Sequence, residues 1–288
     1  MLNKKTYFMK KLAVLFLLAA SVYGAMAQRN LVRPEDVKAF LASKTYVVLE
    51  DNPTSGYNVE IRDAVERSWT ITSYEFVTAK EFEKIRNDID KSFLVLIQIK
   101  FDGDKSVPIY NFLSASLGAA VKKITDMPDI CSIPLSYNGL SEDTYTFKLE
   151  GIIRFMQTYI NAINNDPKLI KKDAFKFFNK NSKEIKNKEL WVTESSLGKN
   201  TRALSDIRKN YKHNIKVVKP EDIQKAIKEK NPNILYLHKV GPEGSRMQWR
   251  VWKMIIGAGD DLMYYYDLHT ISKSDDDGFL AKDFKSIN

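Results

Sequence analysis

The sequence predicts an α/β fold, with α+β as the alternative, built from two repeated β-α-β-α-β-β units with mixed sheets and a connecting helix. Short apolar runs of strand type alternate with amphipathic helical segments, which favours helices packed on a sheet. Residues 76–82 also recur 141 residues later as residues 217–223, and each segment has the pattern of a strand end followed by a helix start. A long amphipathic segment, residues 145–165, separates the two units.

The repeat extends beyond these two segments. At the same shift of 141 residues, residues 93–96 fall on residues 234–237, and both are short apolar runs of the buried-strand type. Identity between the halves is low, so chance similarity between two ordinary α/β stretches is the alternative interpretation. The predicted α/β content does not depend on the choice.

The first unit follows a short predicted helix at residues 33–42, and its elements are assigned from local signals. Runs rich in β-branched and aromatic residues predict strands, and apolar residues at helical spacing predict helices. Thr78 can cap the second helix, because Glu81 follows three residues later as in a capping box. Residues 102–104 predict the turn of a hairpin. The predicted elements are strand 45–50, helix 58–68, strand 70–77, helix 79–89, strand 93–101 and strand 109–117.

The second unit repeats this order. Pro220 stands in the first turn of its second helix, where proline is tolerated. The glycine-containing segments 241–244 and 257–261 predict the turns between its last strands. The predicted elements are strand 189–194, helix 200–211, strand 214–218, helix 220–229, strand 233–240 and the strands 249–256 and 262–272.

The domain organisation follows from these assignments. Residues 1–27 are expected to be a signal peptide, residues 28–144 the first unit, residues 145–187 connecting helices, and residues 188–288 the second unit. The connecting segment is rich in Lys and Asn after residue 168 and predicts a second short helix at residues 171–178.

The first 27 residues have the three parts of an export signal. A basic segment with Lys10 and Lys11 precedes the apolar run 12–22, and Ala25 and Ala27 stand at the two positions that a signal peptidase reads. The apolar run is about half of the ~20 residues that a bilayer span requires. A periplasmic or secreted protein is therefore expected, with no lipid anchor because Gln28 stands where a lipoprotein has Cys, and with no transmembrane segment after cleavage.

The charge and cysteine content narrow the class of protein. The chain has 45 Lys and Arg against 36 Asp and Glu, a net charge of +9, but four of the lysines lie in the predicted signal. The mature chain keeps 41 basic residues against 36 acidic ones, or +5, which argues against a polyanion as partner. Cys131 is the single cysteine, so no intramolecular disulfide forms, and its apolar neighbours predict a buried structural thiol.

The sequence offers little recognisable catalytic chemistry. It contains no nucleophile-elbow, P-loop or dinucleotide-binding glycine pattern, and we expect neither a cofactor nor a metal. None of the three histidines has a metal-ligand spacing, so each is expected to be structural or to lie at the surface. His238 and His269 regain a role in metal binding or general-base catalysis only if the fold brings them together on neighbouring strands.

Aromatic residues concentrate near the end of the chain. Alternation predicts Tyr264 and Tyr266 on one face of a strand and Tyr265 on the other. With Trp249 and Trp252, they form either a binding surface or part of the core. The candidate ligand-binding residues are Trp249, Trp252, Tyr264, Tyr266, His238 and His269.

The densest basic run, residues 168–188, has Phe175, Phe177 and Phe178 interleaved with its lysines. That pattern is typical of surfaces that bind nucleic acid or membranes. A solvated connector whose phenylalanines dock on a domain is the preferred interpretation, and nucleic acid is not the expected partner.

The signal ending in Ala25-Met26-Ala27-Gln28 and the Lys-, Asn- and Tyr-rich composition resemble the uncharacterised exported α/β proteins of Bacteroidetes. The β-α-β-α-β-β outline is similar to the small α/β domains of periplasmic TolB-like proteins. This resemblance implies an envelope location and an α/β fold, and it implies no activity.

Two functions are compatible with these observations. The first is a non-catalytic envelope protein that binds a protein or a glycan through a sheet edge or the cleft between the halves. The second is a hydrolase of an envelope polymer whose carboxylates converge only in the fold. Paired carboxylates in a pocket, or His238 beside His269, favour the hydrolase, whereas an open-edged or aromatic surface favours binding.

Overall fold

The computed structural model describes residues 32–101, 108–171, 173–243 and 248–288. The predicted signal peptide and the predicted turn at residues 102–104 lie outside these ranges. The helices are α1 Pro34–Ala42, α2 Gly56–Ser68, α3 Ala79–Ile85, α4 Leu149–Asn165, α5 Ala174–Phe178, α6 Leu204–Arg208, α7 Pro220–Lys228 and α8 Ala281–Ser286. The strands are β1 Lys44–Leu49, β2 Tyr74–Thr78, β3 Lys91–Ile99, β4 Tyr110–Leu117, β5 Asp129–Tyr137, β6 Glu189–Val192, β7 Ile215–Val217, β8 Ile234–Val240, β9 Arg250–Gly257 and β10 Met263–Thr270.

The strands form two five-stranded sheets with the same topology. The first sheet has the order β2-β1-β3-β4-β5, and the second has the corresponding order β7-β6-β8-β9-β10. In each sheet the first three strands in this order are parallel, and the last two are joined antiparallel. The predicted α/β fold with two similar units of mixed sheet is confirmed.

The two units also begin their second helices in the same way. The Thr78 N–H donates to the Glu81 carboxylate at 2.8 Å, at the start of α3. The Lys219 N–H donates to the Asp222 carboxylate at 3.1 Å, at the start of α7. Both pairs are separated by the shift of 141 residues found in the sequence, so the units match down to the hydrogen bonds that cap a helix.

Several predicted elements differ from the observed ones. Strand β5 was not predicted, so each unit has five strands where the first was expected to have four. Predicted strand 70–77 begins only at Tyr74, because the Thr70 N–H donates to the Gln157 side chain of α4 at 2.7 Å instead of pairing with a strand. Helix α6 is shorter than predicted, because the chain before it forms the 3-10 turn Lys199–Thr201.

Helix α4 lies at the centre of the core that both units share. Its buried side chains, including Ile152 and Met156, pack among apolar residues of both sheets. The first sheet contacts this core through the face that α2 covers, to which Ile61 belongs, and the second sheet through the face that α7 covers, to which Ile227 belongs. Helix α2 follows the first strand of its unit, whereas α7 follows the second strand of its unit. The two sheets therefore contact the shared core through non-equivalent faces.

Arg154 of α4 fixes the second unit against this helix. Its guanidinium donates to the carbonyl oxygens of Ile227 at 3.0 Å and Ala258 at 2.5 Å, and its Nε lies 2.8 Å from the Asp261 carboxylate. Arg154 is almost completely buried, so these contacts replace the water that a guanidinium requires. Among the described residues, no helix has the length and apolar character needed to cross a bilayer.

Candidate functional site

A cavity with a volume of about 320 Å³ lies between the two units. One wall is the outer strand of the first sheet, β5, and the opposite wall consists of β9 and β10 of the second sheet. Helices α4 and α5 close the side. We call this cavity the β5 groove; its walls include residues 129–134 of β5 together with Phe155, Tyr159, Phe178, Trp252, Met254, Met263 and Tyr266.

The groove runs along a strand edge rather than over one face of a sheet. Six consecutive residues of β5 contribute to it, although successive side chains of a strand point to opposite faces. Strand β5 pairs with β4 on one side, and within the described ranges no strand pairs with its other side. His238 Nε2 donates to the Pro134 carbonyl oxygen at 2.9 Å and so anchors one end of this edge to β8. The edge from Asp129 to Ile133 is therefore the part that faces the cavity.

Aromatic rings form the wall opposite β5. Phe178 of α5 packs against Tyr266 of β10, with 5.7 Å between ring centroids, and Phe155 stacks on Tyr159 at 6.3 Å. Trp252 contacts the Phe112 ring at 5.6 Å and forms the floor. The wall is thus apolar, with few groups that can form hydrogen bonds.

The polar groups of the groove are concentrated at Asp129. Its carboxylate accepts hydrogen bonds from Ser132 Oγ at 2.8 Å and Ser114 Oγ at 2.9 Å. The loss of surrounding water raises the pKa of the Asp129 carboxyl, and the two serine hydrogen bonds oppose that rise. Burial also raises the pKa of the Cys131 thiol, which therefore stays protonated and is a poor nucleophile. Cys131 is free and buried, as predicted.

Two of the six predicted ligand-binding residues, Trp252 and Tyr266, line the β5 groove. Trp249 does not: it is half-buried and packs against Tyr110 and Tyr137, with ring centroids 6.3 and 6.2 Å apart. Tyr264 is buried in the core of the second unit, and its hydroxyl donates to Asp260 at 2.7 Å.

The predicted alternation of the three tyrosines is wrong. Tyr264 and Tyr265 both belong to the core between the second sheet and α8, whereas Tyr266 faces α5 and the groove. The strand register shifts between Met263 and Tyr265 where β10 pairs with β9. A β-bulge of this kind adds one residue and so reverses the alternation after it.

His238 and His269 do not come together. They lie on β8 and β10, with β9 between them. On β9, His238 is opposite Met254 and His269 is opposite Val251. Because Met254 and Val251 are three residues apart, the two histidines lie on opposite faces of the sheet. Burial lowers the pKa of His238 to about 3. Burial also lowers the pKa of His269, whose Nε2 lies 2.6 Å from the Asp276 carbonyl oxygen. Both rings are held as neutral structural groups.

Other residues of the site were not predicted. Asp129 lies on the unpredicted strand β5, and Phe178 belongs to the basic connector, whose interleaved phenylalanines do dock on the domain through Tyr159 and Tyr266. Among the described residues, no group of three or more His, Cys, Asp or Glu side chains is placed to hold a metal ion.

Neither the protein-family models, nor the curated proteins, nor the solved structures contain a match to this chain. The function is therefore argued from the geometry of the site.

Proposed function

We propose that this chain is an exported, non-catalytic binding protein, and that the β5 groove receives an extended segment of a partner protein. The observation that carries the proposal is the edge of β5 running along an apolar cavity. An extended peptide pairs with such an edge through its main chain, and pockets beside the edge select its side chains. Export to the periplasm or the exterior rests on the signal pattern of residues 1–27.

The chemistry of the groove favours a peptide over a glycan. A volume of about 320 Å³ is at the lower end of the range for ligand pockets, and it suits one or two large apolar side chains. Sugars require several hydrogen-bonding groups beside an aromatic surface, whereas the polar side chains of this lining are Asp129, Ser132 and Tyr side chains. A peptide complements the groove when one apolar side chain fills the cavity and a neighbouring N–H group or cationic side chain contacts the Asp129 carboxylate.

The groove also lacks the paired groups that hydrolysis requires. Asp129 is the one carboxylate among its lining residues, and a glycosidase or similar hydrolase needs an acid and a base facing one bond. This absence within the lining supports a binding role for the groove.

The binding proposal is tested with fluorescently labelled ten-residue peptides that differ at one central position, which is Leu, Phe, Lys or Asp. We expect micromolar binding of the Leu and Phe peptides by fluorescence anisotropy. Ser132→Trp places a large ring in the groove and is expected to weaken binding at least tenfold. Val59→Trp is the matched control, because Val59 is 59% exposed on α2, away from the groove.

The edge-pairing step is tested separately by methylating alternate backbone nitrogens of the tightest peptide. Loss of affinity on methylation supports strand addition, since methylation removes the N–H donors and leaves the side chains in place. Equal binding to wild type and Ser132→Trp refutes the proposal. Binding of oligosaccharides but of no peptide assigns the groove to a glycan instead.

One observation keeps the hydrolase as a second candidate. Glu50, which follows β1, has its pKa raised by loss of water and by the neighbouring carboxylate of Glu142. Glu142 accepts a hydrogen bond from the Gly56 N–H at 2.5 Å. Such a pair of carboxyls can divide the roles of acid and base. Turnover of an envelope polymer that is lost in both Glu50→Gln and Glu142→Gln, and kept in Ser132→Trp, supports this candidate.

A further inference from the structure

A second, smaller cavity lies at the carboxyl ends of the parallel strands of the second sheet. Strand β7 pairs with one side of β6, and β8, which comes next along the chain, pairs with the other side of β6. In open α/β sheets, this change of direction leaves a crevice between the loops that follow the two strands, and ligands commonly bind there. Here Thr193 and Ser195 follow β6 and Glu243 follows β8, and all three line a cavity of about 40 Å³.

Two lysines that lie far apart in the sequence meet at this cavity. Lys148 stands just before α4 and Lys239 lies near the end of β8; both line the cavity, and both are more than nine-tenths buried. Like charges in a buried site repel each other, and each must also give up its hydration. Burial together with the nearby Lys239 lowers the pKa of Lys148 to about 7. Holding both lysines here therefore costs folding free energy.

Lys148 lacks a neutralising partner in the part of the chain that the structure describes. Its side chain forms no hydrogen bond or ion pair there, and its Nζ lies 4.7 Å from the centroid of the Phe147 ring. The second lysine differs, because Lys239 Nζ lies 3.6 Å from the Asp277 carboxylate. Below pH 7, where Lys148 is mostly protonated, its charge therefore has no ion-pair partner among the described residues.

The other groups around Lys148 do not neutralise it. His238 on β8 is buried and neutral, since its own pKa is lowered to about 3 by burial and by Lys148. Tyr145 keeps its proton, because burial raises its pKa to about 12. Glu243 is an exposed carboxylate at the mouth, beside the partly compensated Lys239. The cavity thus combines a buried cation with the hydroxyl groups of Thr193, Ser195 and Tyr145, all of which can donate to an oxyanion.

We propose that this cavity, the lysine pocket, is a binding site for a small oxyanion, either a free sulfate- or phosphate-type ion or the carboxylate of a small molecule. Lys148 supplies the charge, Lys239 supplies the second cation, and the hydroxyls of Thr193 and Ser195 supply further donors. A cavity of about 40 Å³ holds about three water-sized positions, which is the space that such a group occupies. The proposal does not depend on the β5 groove.

Lys148→Met and Lys225→Met form the matched pair of variants for the test. Methionine keeps the length of the lysine side chain and removes its charge, and Lys225 is an exposed lysine of α7 with 74% of its side chain accessible. Isothermal titration with sodium sulfate and, separately, with sodium acetate is carried out at pH 6.5 in constant chloride. Binding by wild type and Lys225→Met, weakened about 10- to 100-fold in Lys148→Met, supports the proposal; the factor is that of a charge-assisted hydrogen bond.

Thermal unfolding separates a binding role from a structural one. In anion-free buffer, Lys148→Met is expected to have a higher Tm than wild type, because it no longer buries an unpaired ammonium group. Sulfate at 10 mM is then expected to raise the Tm of wild type and of Lys225→Met, but not of Lys148→Met. A lower Tm for Lys148→Met in anion-free buffer, or equal sulfate-induced shifts in all three proteins, overturns the proposal. Preference for sulfate over acetate identifies a tetrahedral ion, and the reverse identifies a carboxylate ligand.

Discussion

Replacement of the buried lysine of β9 gives the sharpest test of how the second unit is held together. Lys253 is fully buried, and its Nζ lies 2.5 Å from Asp283 of α8 and 2.6 Å from Asp267 of β10. Asp283 is 2% exposed and also accepts hydrogen bonds from the Tyr265 hydroxyl at 2.8 Å and the Leu280 N–H at 2.7 Å. The α8 helix is therefore joined to the sheet by one buried charge network.

Lys253→Met is expected to lower the free energy of unfolding by about 3–5 kcal/mol, because it leaves the buried Asp283 charge without a partner. Asp267→Asn is expected to cost about 1 kcal/mol or less, because Asp267 is 31% exposed and Lys253 keeps its bond to Asp283. The double variant Lys253→Met with Asp283→Asn is expected to be more stable than Lys253→Met alone. The amide that replaces the Asp283 carboxylate keeps hydrogen-bonding capacity toward Tyr265 and removes the uncompensated charge.

These variants are compared by urea unfolding of residues 28–288 at pH 7, followed by circular dichroism. The decisive comparison is whether adding Asp283→Asn to Lys253→Met raises or lowers the free energy of unfolding, because most substitutions lower it. If Asp283→Asn further destabilises Lys253→Met, or if Lys253→Met costs no more than Asp267→Asn, the network does not carry the energy assigned to it.

Two further outcomes are expected. The pKa of His238 is about 3 in the folded chain and about 6.5 in the unfolded chain, so between these pH values the unfolded state binds one more proton. The free energy of unfolding therefore falls by about 1.4 kcal/mol for each unit by which the pH is lowered in this range. His238→Gln, which keeps a donor for Pro134, is expected to lose about 2 kcal/mol less than wild type between pH 7 and pH 5 in urea titrations; parallel curves contradict this. A Cβ on Gly151 overlaps with the Tyr236 hydroxyl, so Gly151→Ala is expected to cost about 1–3 kcal/mol. Adding Tyr236→Phe, which deletes a buried hydroxyl without a hydrogen-bond partner, is expected to restore most of that loss in thermal melts, and failure to do so places the clash elsewhere.

The repeat and most of the succession of strands and helices along each unit followed from local signals, and the missing strand has a local explanation. Strand β5 contains Pro134 and several small or polar residues, which weaken the alternation that predicts a strand. Proline is compatible with an outer strand, because its missing N–H faces away from the ladder. A sequence pattern cannot distinguish an outer strand of this kind from a loop.

The candidate site was only half predictable, for a different reason. Trp252 and Tyr266 stood out because aromatic residues cluster in one hairpin, but the groove is completed by Asp129 and Phe178, which lie far away in sequence. Lys148 resembled an ordinary charged residue in the first turn of the predicted amphipathic segment 145–165. Its burial arises from contact with the second unit, which is information that the neighbouring residues do not contain.

The non-equivalent faces at the shared core have a consequence for how the duplication can be built. Units joined through different faces are related by a step along a line, as in a solenoid, rather than by a two-fold axis, so the contact does not close on itself. Each sheet therefore has one face outside the shared core. Helix α3 covers this face in the first unit, and α6 with α8 covers it in the second unit. Helix α3 and helix α8 therefore cover the two apolar faces that lie outside the shared core, and α8 keeps its face from contact with a further copy.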